Sequence, residues 1–338
     1  MSVASAPAPP TADPPVAPKK PRRGLLGRGG SRFAAAPWVL LPSVVLIFIF
    51  VYGFIAFSAW ISVSLWGRPT RRDLSLRQPF GATYGEMFAE QRFQADLRNV
   101  IVFTIGFLLL ALLGGLVLAL LVHHVTVAKG LFRSVFLLPY ALSFIVTGVA
   151  FRWIFNPDQG INVILRAIGI ENPPGWTTDP TILAGLNTPN DTLKIVLGVP
   201  VAMIPIIIAA SWQLMGFSMA MYLSGLAGIP EEQLEAASVD GATTYQRLRH
   251  VVIPQLWPVT VTCFVILLHV SLKIFDMVVA MSGSGPAFVT DVPGIYVFDM
   301  MTKGARYDKG TAAALVLLAM ACLVVVPYLA RSYRSERR

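Results

Sequence analysis

The sequence predicts an all-α integral membrane protein with six transmembrane helices, and three observations lead there. Of 338 residues, 55% are hydrophobic and only 13% are charged, whereas a soluble domain carries about 25% charged residues. The apolar residues gather into long charge-poor stretches, of the length that crosses hydrocarbon as a helix. Those stretches lack the alternation of a membrane barrel, and lipid cannot satisfy an open backbone, so helices remain.

Residues 1–36 read as a disordered tail. Pro7, Pro9, Pro10, Pro14, Pro15, Pro18 and Pro21 cannot sit in a packed helix, and Lys19, Lys20, Arg22, Arg23, Arg28 and Arg32 precede the first apolar segment. The first span is expected at 37–64. The run from Pro37 to Trp66 is too long for the apolar core of a signal peptide, about 7–15 residues. Further spans are expected at 99–122, 133–155, within 195–226, at 255–278 and at 310–330, before a basic tail at 331–338. The membrane-embedded body is thus 37–330.

Lys and Arg outnumber Asp and Glu by 27 to 18, for a net charge of +9. No basic groove or recognition motif accompanies that excess, so nucleic acid is not an expected partner. Retention of cations on the cytoplasmic side explains it instead. Six spans put both termini inside, together with the 123–133 connection (Lys129, Arg133) and the 228–252 connection (Arg247, Arg249). The 67–98 loop runs against this, with Arg68, Arg71, Arg72, Arg77, Arg92 and Arg98 on the outside. Cys263 and Cys322 lie in apolar stretches with no metal or redox spacing and read as small buried hydrophobes. His123 and His124 read as a surface pair, not a metal site, and His250 as a packed residue of the 228–252 connection.

The informative stretch lies between the fourth and fifth spans. Pro230 suits a first helical position, Glu231 and Glu232 suit a positive helix N-terminus, and Gly241 suits a C-terminal cap. A short helix is expected at 230–240 and a second at 243–252, with Pro254 opening the fifth span. Two short helices at an angle make a rigid knob, able to pass a partner's motion to the spans it joins.

Glu235-Ala236-Ala237, Gly241 and Val251-Val252-Ile253-Pro254 resemble the EAA loop of the permeases of binding-protein-dependent ABC importers. Val251 and Ile253 replace the usual Ile and Leu. Four further stretches, in order around that loop, resemble the carbohydrate branch, whose type member is the maltose importer. They are Phe132 to Pro139, Trp153 to Asn162, Ser211 to Phe217, and Phe275 to Met277 with Ser282 to Pro286. Ser284 departs from the usual glycine there. The resemblance implies the type I importer permease fold and a bacterial or archaeal inner-membrane location. It implies a second, homologous permease in a heterodimer, of which this chain looks like the first member. It further implies two ATPase subunits and an extracytoplasmic sugar-binding protein. The 228–254 loop would dock into an ATPase cleft, with Glu235 meeting the ATPase, Ala236, Ala237 and Gly241 allowing close approach, and Asp240 and Pro254 framing them.

Polar groups inside lipid are costly and usually have a purpose. Ser211, Met215, Ser218 and Tyr222 fall at spacings of four, three and four, one helix face, flanked by Trp212 and Gln213. Hydroxyls, amides and aromatic rings suit a sugar; they equally suit interhelical hydrogen bonding. His269, Lys273 and Asp276 form a second stripe, either lining a cavity or closing a Lys273–Asp276 pair with Lys273 snorkelling.

The chain carries no GxxxxGK[ST] loop, HExxH or nucleophile triad, so it is expected to be non-catalytic. ATP and Mg belong to the partner ATPase, and the chain itself is expected to bind no cofactor. The competing reading is an ion-coupled secondary sugar transporter, which calls for an internal repeat that the sequence does not display.

Overall fold

The computed structural model describes residues 40–67, 72–125, 128–186 and 193–336. The expected tail at 1–36, and Arg68 and Arg71, lie outside the described residues. Two units divide the chain, Met1–Ile55 and Ala56–Arg338. Helix α1 (Leu40–Ser62) begins in the first and ends in the second, with a π turn at Phe48–Gly53. Every residue from Leu40 to Phe54 is exposed, and no charge interrupts the helix, the pattern of a helix surrounded by lipid or by another chain.

Within the second unit, α2 (Ala82–Phe88) leads into α3 (Gln91–His124), which is longer than the expected 99–122 span. Its added first turns bury polar side chains, Gln94, Asp96 and Arg98, and Asn99 follows them. Buried polar groups need partners in the fold, which span-by-hydropathy reasoning does not see. The third expected span is two helices, α4 (Lys129–Leu137) and α5 (Phe144–Ile154), bent by 96°. Pro139 sits in a 3-10 turn at Leu138–Ala141. Ser143 then caps α5, accepting from Val146 N at 3.3 Å. Helix α6 (Ile161–Ala167) and an antiparallel hairpin, β1 (Ile182–Leu186) with β2 (Leu197–Pro200), follow. The hairpin interrupts the expected all-α character and was not anticipated.

Helix α7 (Met203–Ala227) is the fourth span. It is followed by α8 (Glu231–Val239) and α9 (Thr244–Gln255). Helix α10 (Trp257–Leu272) turns away from α9 by 59°. The expected 255–278 span therefore splits, with α11 (Asp276–Met281) separate. Helices α12 (Pro293–Thr302) and α13 (Tyr307–Glu336) complete the chain, and α13 runs past the expected boundary at 330. Among the described residues four helices, α1, α3, α7 and α13, are long and apolar enough to cross a membrane alone, and up to six spans result if each bent pair counts as one.

The core forms where α3 lies against α7. Small residues let the backbones approach, as helices in lipid require. A Cβ on Gly106 would come within 2.9 Å of Ile207 Cδ1, and one on Gly115 would overlap Ser218 Cβ. Phe103, Phe107, Ala111, Met203, Ile206 and Ala209 fill this seam. Helix α5 packs on α11 through Gly148, whose Cβ would lie 2.9 Å from Met277 O.

Of the arginines that ran against the orientation argument, Arg77, Arg92 and Arg98 have partners in the fold. Arg92 Nε meets Asp291 Oδ2 at 2.6 Å, and its Nη2 meets Asp299 Oδ2 at 2.6 Å. Arg98 Nη1 donates to Val196 O at 2.9 Å, and Arg77 is paired with Glu86. Asn99 Nδ2 donates to Phe288 O and Asp291 O at 2.8 Å each. Tyr296 donates to Glu90, which also pairs with Lys309. Burial pushes the Tyr296 phenol up, and the hydrogen bond to Glu90 adds to it. This polar belt ties the start of α3 to α12 and α13.

Candidate functional site: the elbow between α7 and α10

Helix α8 starts after Pro230, which stands at the N-cap with φ −62° and ψ 130°, not at the first helical position. Glu231 and Glu232 occupy its first turn, opposite the positive end of the helix dipole. The helix buries no residue. Glu235, Ala236, Asp240 and Gly241 are exposed, and Ala237 is half-buried.

Gly241 adopts φ +78°, a region that Cβ-bearing residues rarely enter. Ala242 N reaches back to Ala237 O at 3.0 Å and Gly241 N to Ser238 O at 3.1 Å, closing the carbonyl end of α8. A Cβ at Gly241 would meet nothing within 4 Å, so its outer side is open. The chain re-enters a helix at once through a capping box: Gln246 N donates to Thr243 Oγ1 at 3.3 Å and Thr243 N donates to Gln246 Oε1 at 2.8 Å.

Two side-chain bonds close the elbow on itself. Arg247 Nη1 donates to Ser238 Oγ at 2.8 Å, and Gln255 Nε2 donates to Gln233 Oε1 at 2.6 Å. Helix α9 changes from α to π at Leu248–Val252, and Pro254 lies in the short turn Ile253–Gln255. Pro254 thus precedes the 59° bend, and Trp257, not Pro254, opens α10. Val239, 88% exposed, and Tyr245, 65% exposed, stand on this polar surface. Both were missed in the sequence, where an apolar residue closing an acidic helix was the available signal. His250, expected to pack, is exposed, its Nδ1 3.1 Å from Gln246 O.

The polar face of α7 is largely enclosed. Ser211, Gln213, Ser218 and Tyr222 are buried, Met215 is half-buried and Trp212 is 44% exposed. Ser218 accepts from Cys263 Sγ at 3.6 Å and abuts Gly115. Gln213 Nε2 donates to Leu142 O at 2.7 Å, across the break between α4 and α5. Ser211 Oγ, Gln213 Oε1 and Thr147 Oγ1 are buried and have no hydrogen-bond partner among the described residues. Trp212 lies beside Phe151, ring centroids 5.3 Å apart.

The second stripe does not form a single helix face. Helix α10 ends at Leu272, Lys273 is its C-cap and Asp276 opens α11. His269, Lys273 and Asp276 are all exposed, and no ion pair joins Lys273 to Asp276 among the described residues. Cys263 is buried as expected, while Cys322 is exposed on α13. No group of three or more His, Cys, Asp or Glu among the described residues is placed to hold a metal ion.

The family model for the binding-protein-dependent transport system inner membrane component matches residues 111–335, which include the whole elbow. A probable ABC transporter permease of Pyrococcus horikoshii is 36% identical over 88% of this chain and 96% of its own length. The xylose/arabinose import permease protein XacH of Haloferax volcanii is 32% identical over 89% of this chain and 88% of its own. Among solved structures, a bacterial ABC transporter involved in alginate import has a chain that superposes with a TM-score of 0.70 at 21% identity, over 90% of this chain and 96% of that one. That likeness shows the fold, the type I ABC importer permease fold with several apolar spans. The chain belongs to the family of inner-membrane components of binding-protein-dependent transport systems.

Proposed function

We propose that this chain is the non-catalytic permease subunit of an ATP-driven sugar importer and forms part of the translocation path by alternating access. The elbow carries the reading: an exposed, self-braced pair of short helices runs directly into a span already broken by 59°. Force on α8 reaches α10 through the Gln233–Gln255 and Arg247–Ser238 bonds. In this reading α4 with α5 is one span and α10 is another, giving six with α1, α3, α7 and α13, and the elbow (α8 and α9) and both termini are cytoplasmic. Glu235, Ala236, Ala237, Asp240 and Gly241 face an ATPase subunit that holds ATP and Mg, and Pro254 transmits at the bend. A second permease, a second ATPase and an extracytoplasmic binding protein complete the assembly, and the chain binds no cofactor of its own.

The sugar path is assigned to α7. Unpartnered polar atoms are expensive in a membrane, and Ser211 Oγ and Gln213 Oε1 are two such atoms beside the half-exposed Trp212. Met215, Ser218 and Tyr222 continue the same face, and a conformation that parts α7 from its neighbours would open them. Lys273 and His269, exposed and without an ion-pair partner among the described residues, extend the polar lining, with Asp276 across the break. Carbohydrate is favoured by the similarity to XacH, named for xylose and arabinose import. Family membership leaves ion coupling without an observation in its favour.

The test is uptake into proteoliposomes holding the full complex and its binding protein. Sugar accumulation that needs internal ATP and that Glu235→Lys abolishes supports the reading. Accumulation driven by an ion gradient without ATP overturns it.

A further inference from the structure

Behind the elbow, where it faces the ends of α3 and α7, lies a cavity of about 200 Å³. Leu120, Leu226 and Val252 stand among its apolar walls. Its polar rim holds one guanidinium, Arg247 from α9, with Thr244 and the imidazoles of His123 and His124 from the last turn of α3. No carboxylate lines it among the described residues. Arg247 spends its two terminal nitrogens on Ser238 and Thr244, at 2.8 and 3.3 Å, while its buried Nε has no acceptor among the described residues. His124 is oriented by Nδ1 against Leu120 O at 2.7 Å, with the His123 ring edge-on beside it.

Position adds to chemistry. Helices α3 and α7 are long apolar spans, and both end at this cavity. It therefore sits at the level where hydrocarbon gives way to headgroups. A free inorganic anion would satisfy the rim but leave the leucine and valine walls wet. An amphiphile with one anionic head satisfies both.

We propose that this cavity holds the phosphate head and adjoining methylenes of an anionic phospholipid from the adjacent leaflet. The bound lipid then joins the end of α3 to the elbow, so that elbow movement carries α3 with it. That consequence for coupling rests on the function proposed above; the lipid site does not.

The experiment is native mass spectrometry of the purified full complex, equilibrated with equal amounts of phosphatidylglycerol and phosphatidylcholine. Preferential retention of phosphatidylglycerol, one per copy of this chain, is expected. Arg247→Gln should weaken it about fivefold, the scale of one cation near an anionic leaflet. Because Arg247 also braces the elbow, His123→Leu with His124→Leu is the second variant, and it should weaken retention without touching the Ser238 or Thr244 bonds. Equal retention of the two lipids, or retention unchanged in both variants, overturns the proposal. Displacement of the lipid by millimolar inorganic phosphate would also overturn it, by identifying a free anion as the occupant. Retention is read without turnover, so its failure is distinct from failure of the transport reading.

Discussion

The side-chain amide of Gln213 donates to the carbonyl of Leu142 at 2.7 Å, bridging α7 to the point where α4 and α5 part. A carbonyl released by a break in a membrane helix must find a donor, and Gln213 supplies one. The same side chain keeps its Oε1 unpartnered. One residue therefore serves the fold through its nitrogen and, in the proposed sugar path, would offer its oxygen to the sugar.

The two roles separate on substitution. Gln213→Leu should lower stability by about 1 kcal/mol, the scale of one interhelical hydrogen bond in lipid, and should raise the KM for transport. Thermal unfolding in detergent beside proteoliposome uptake checks both. A lower melting temperature with an unchanged KM would confine Gln213 to structure.

Gly216 packs against backbone, and Gly114 against the flexible end of Met215. A Cβ on Gly216 would run into the Phe136 carbonyl, so Gly216→Ala should cost roughly 1–3 kcal/mol. Gly114→Ala should cost less than about 1 kcal/mol, because a methionine repacks readily. Comparing the two melting temperatures tests the packing order.

Arg92 is the common partner of Asp291, whose side chain is fully buried, and of Asp299. Arg92→Met strands the buried Asp291 carboxylate, leaves Asp299 with Lys303 alone, and should destabilise by about 3 kcal/mol. Adding Asp291→Asn removes the stranded charge and should recover part of that loss. A double variant no more stable than Arg92→Met would show that the arginine acts through packing alone.

Acid should loosen the same belt. Burial pushes the Asp299 carboxyl up, but hydrogen bonds from Lys303 and Arg92 outweigh it and hold it below the usual carboxylate range. Its contribution is therefore complete above the unfolded value of about 3.9 and is lost as pH falls through the lower folded value. Asp299→Asn should melt below the wild type at neutral pH, and the gap should close on acidification below about pH 4. A gap that widens there would reverse the sign.

Much of this was legible in the sequence because apolar length and loop chemistry are local. The segments behind α1, α3, α7 and α13 announce themselves by hydropathy, and Glu231, Glu232 and Gly241 mark the ends of α8. The breaks were not legible. Pro139 and Ser143 divide one apolar run into α4 and α5, and Lys273 ends α10 before Asp276; hydropathy counts such residues as one span. The buried polar turns of α3 escaped for a different reason. Arg98 lies deep because partners from distant segments, Val196 O among them, surround it, and separation in sequence hides that. On α7, spacing found the polar face of Ser211 and Ser218, but not that Gly115 would close over part of it.

The most direct measurement concerns Gly241. Aspartate tolerates positive φ better than most residues, and the space outside Gly241 is open, so Gly241→Asp should leave the spans folded. It places a charged side chain on the surface assigned to the ATPase. In proteoliposomes of the full complex, sugar-dependent stimulation of ATP hydrolysis should vanish in Gly241→Asp while its melting temperature stays near wild type. Stimulation at the wild-type level in that variant would contradict the assignment of the elbow as the coupling element.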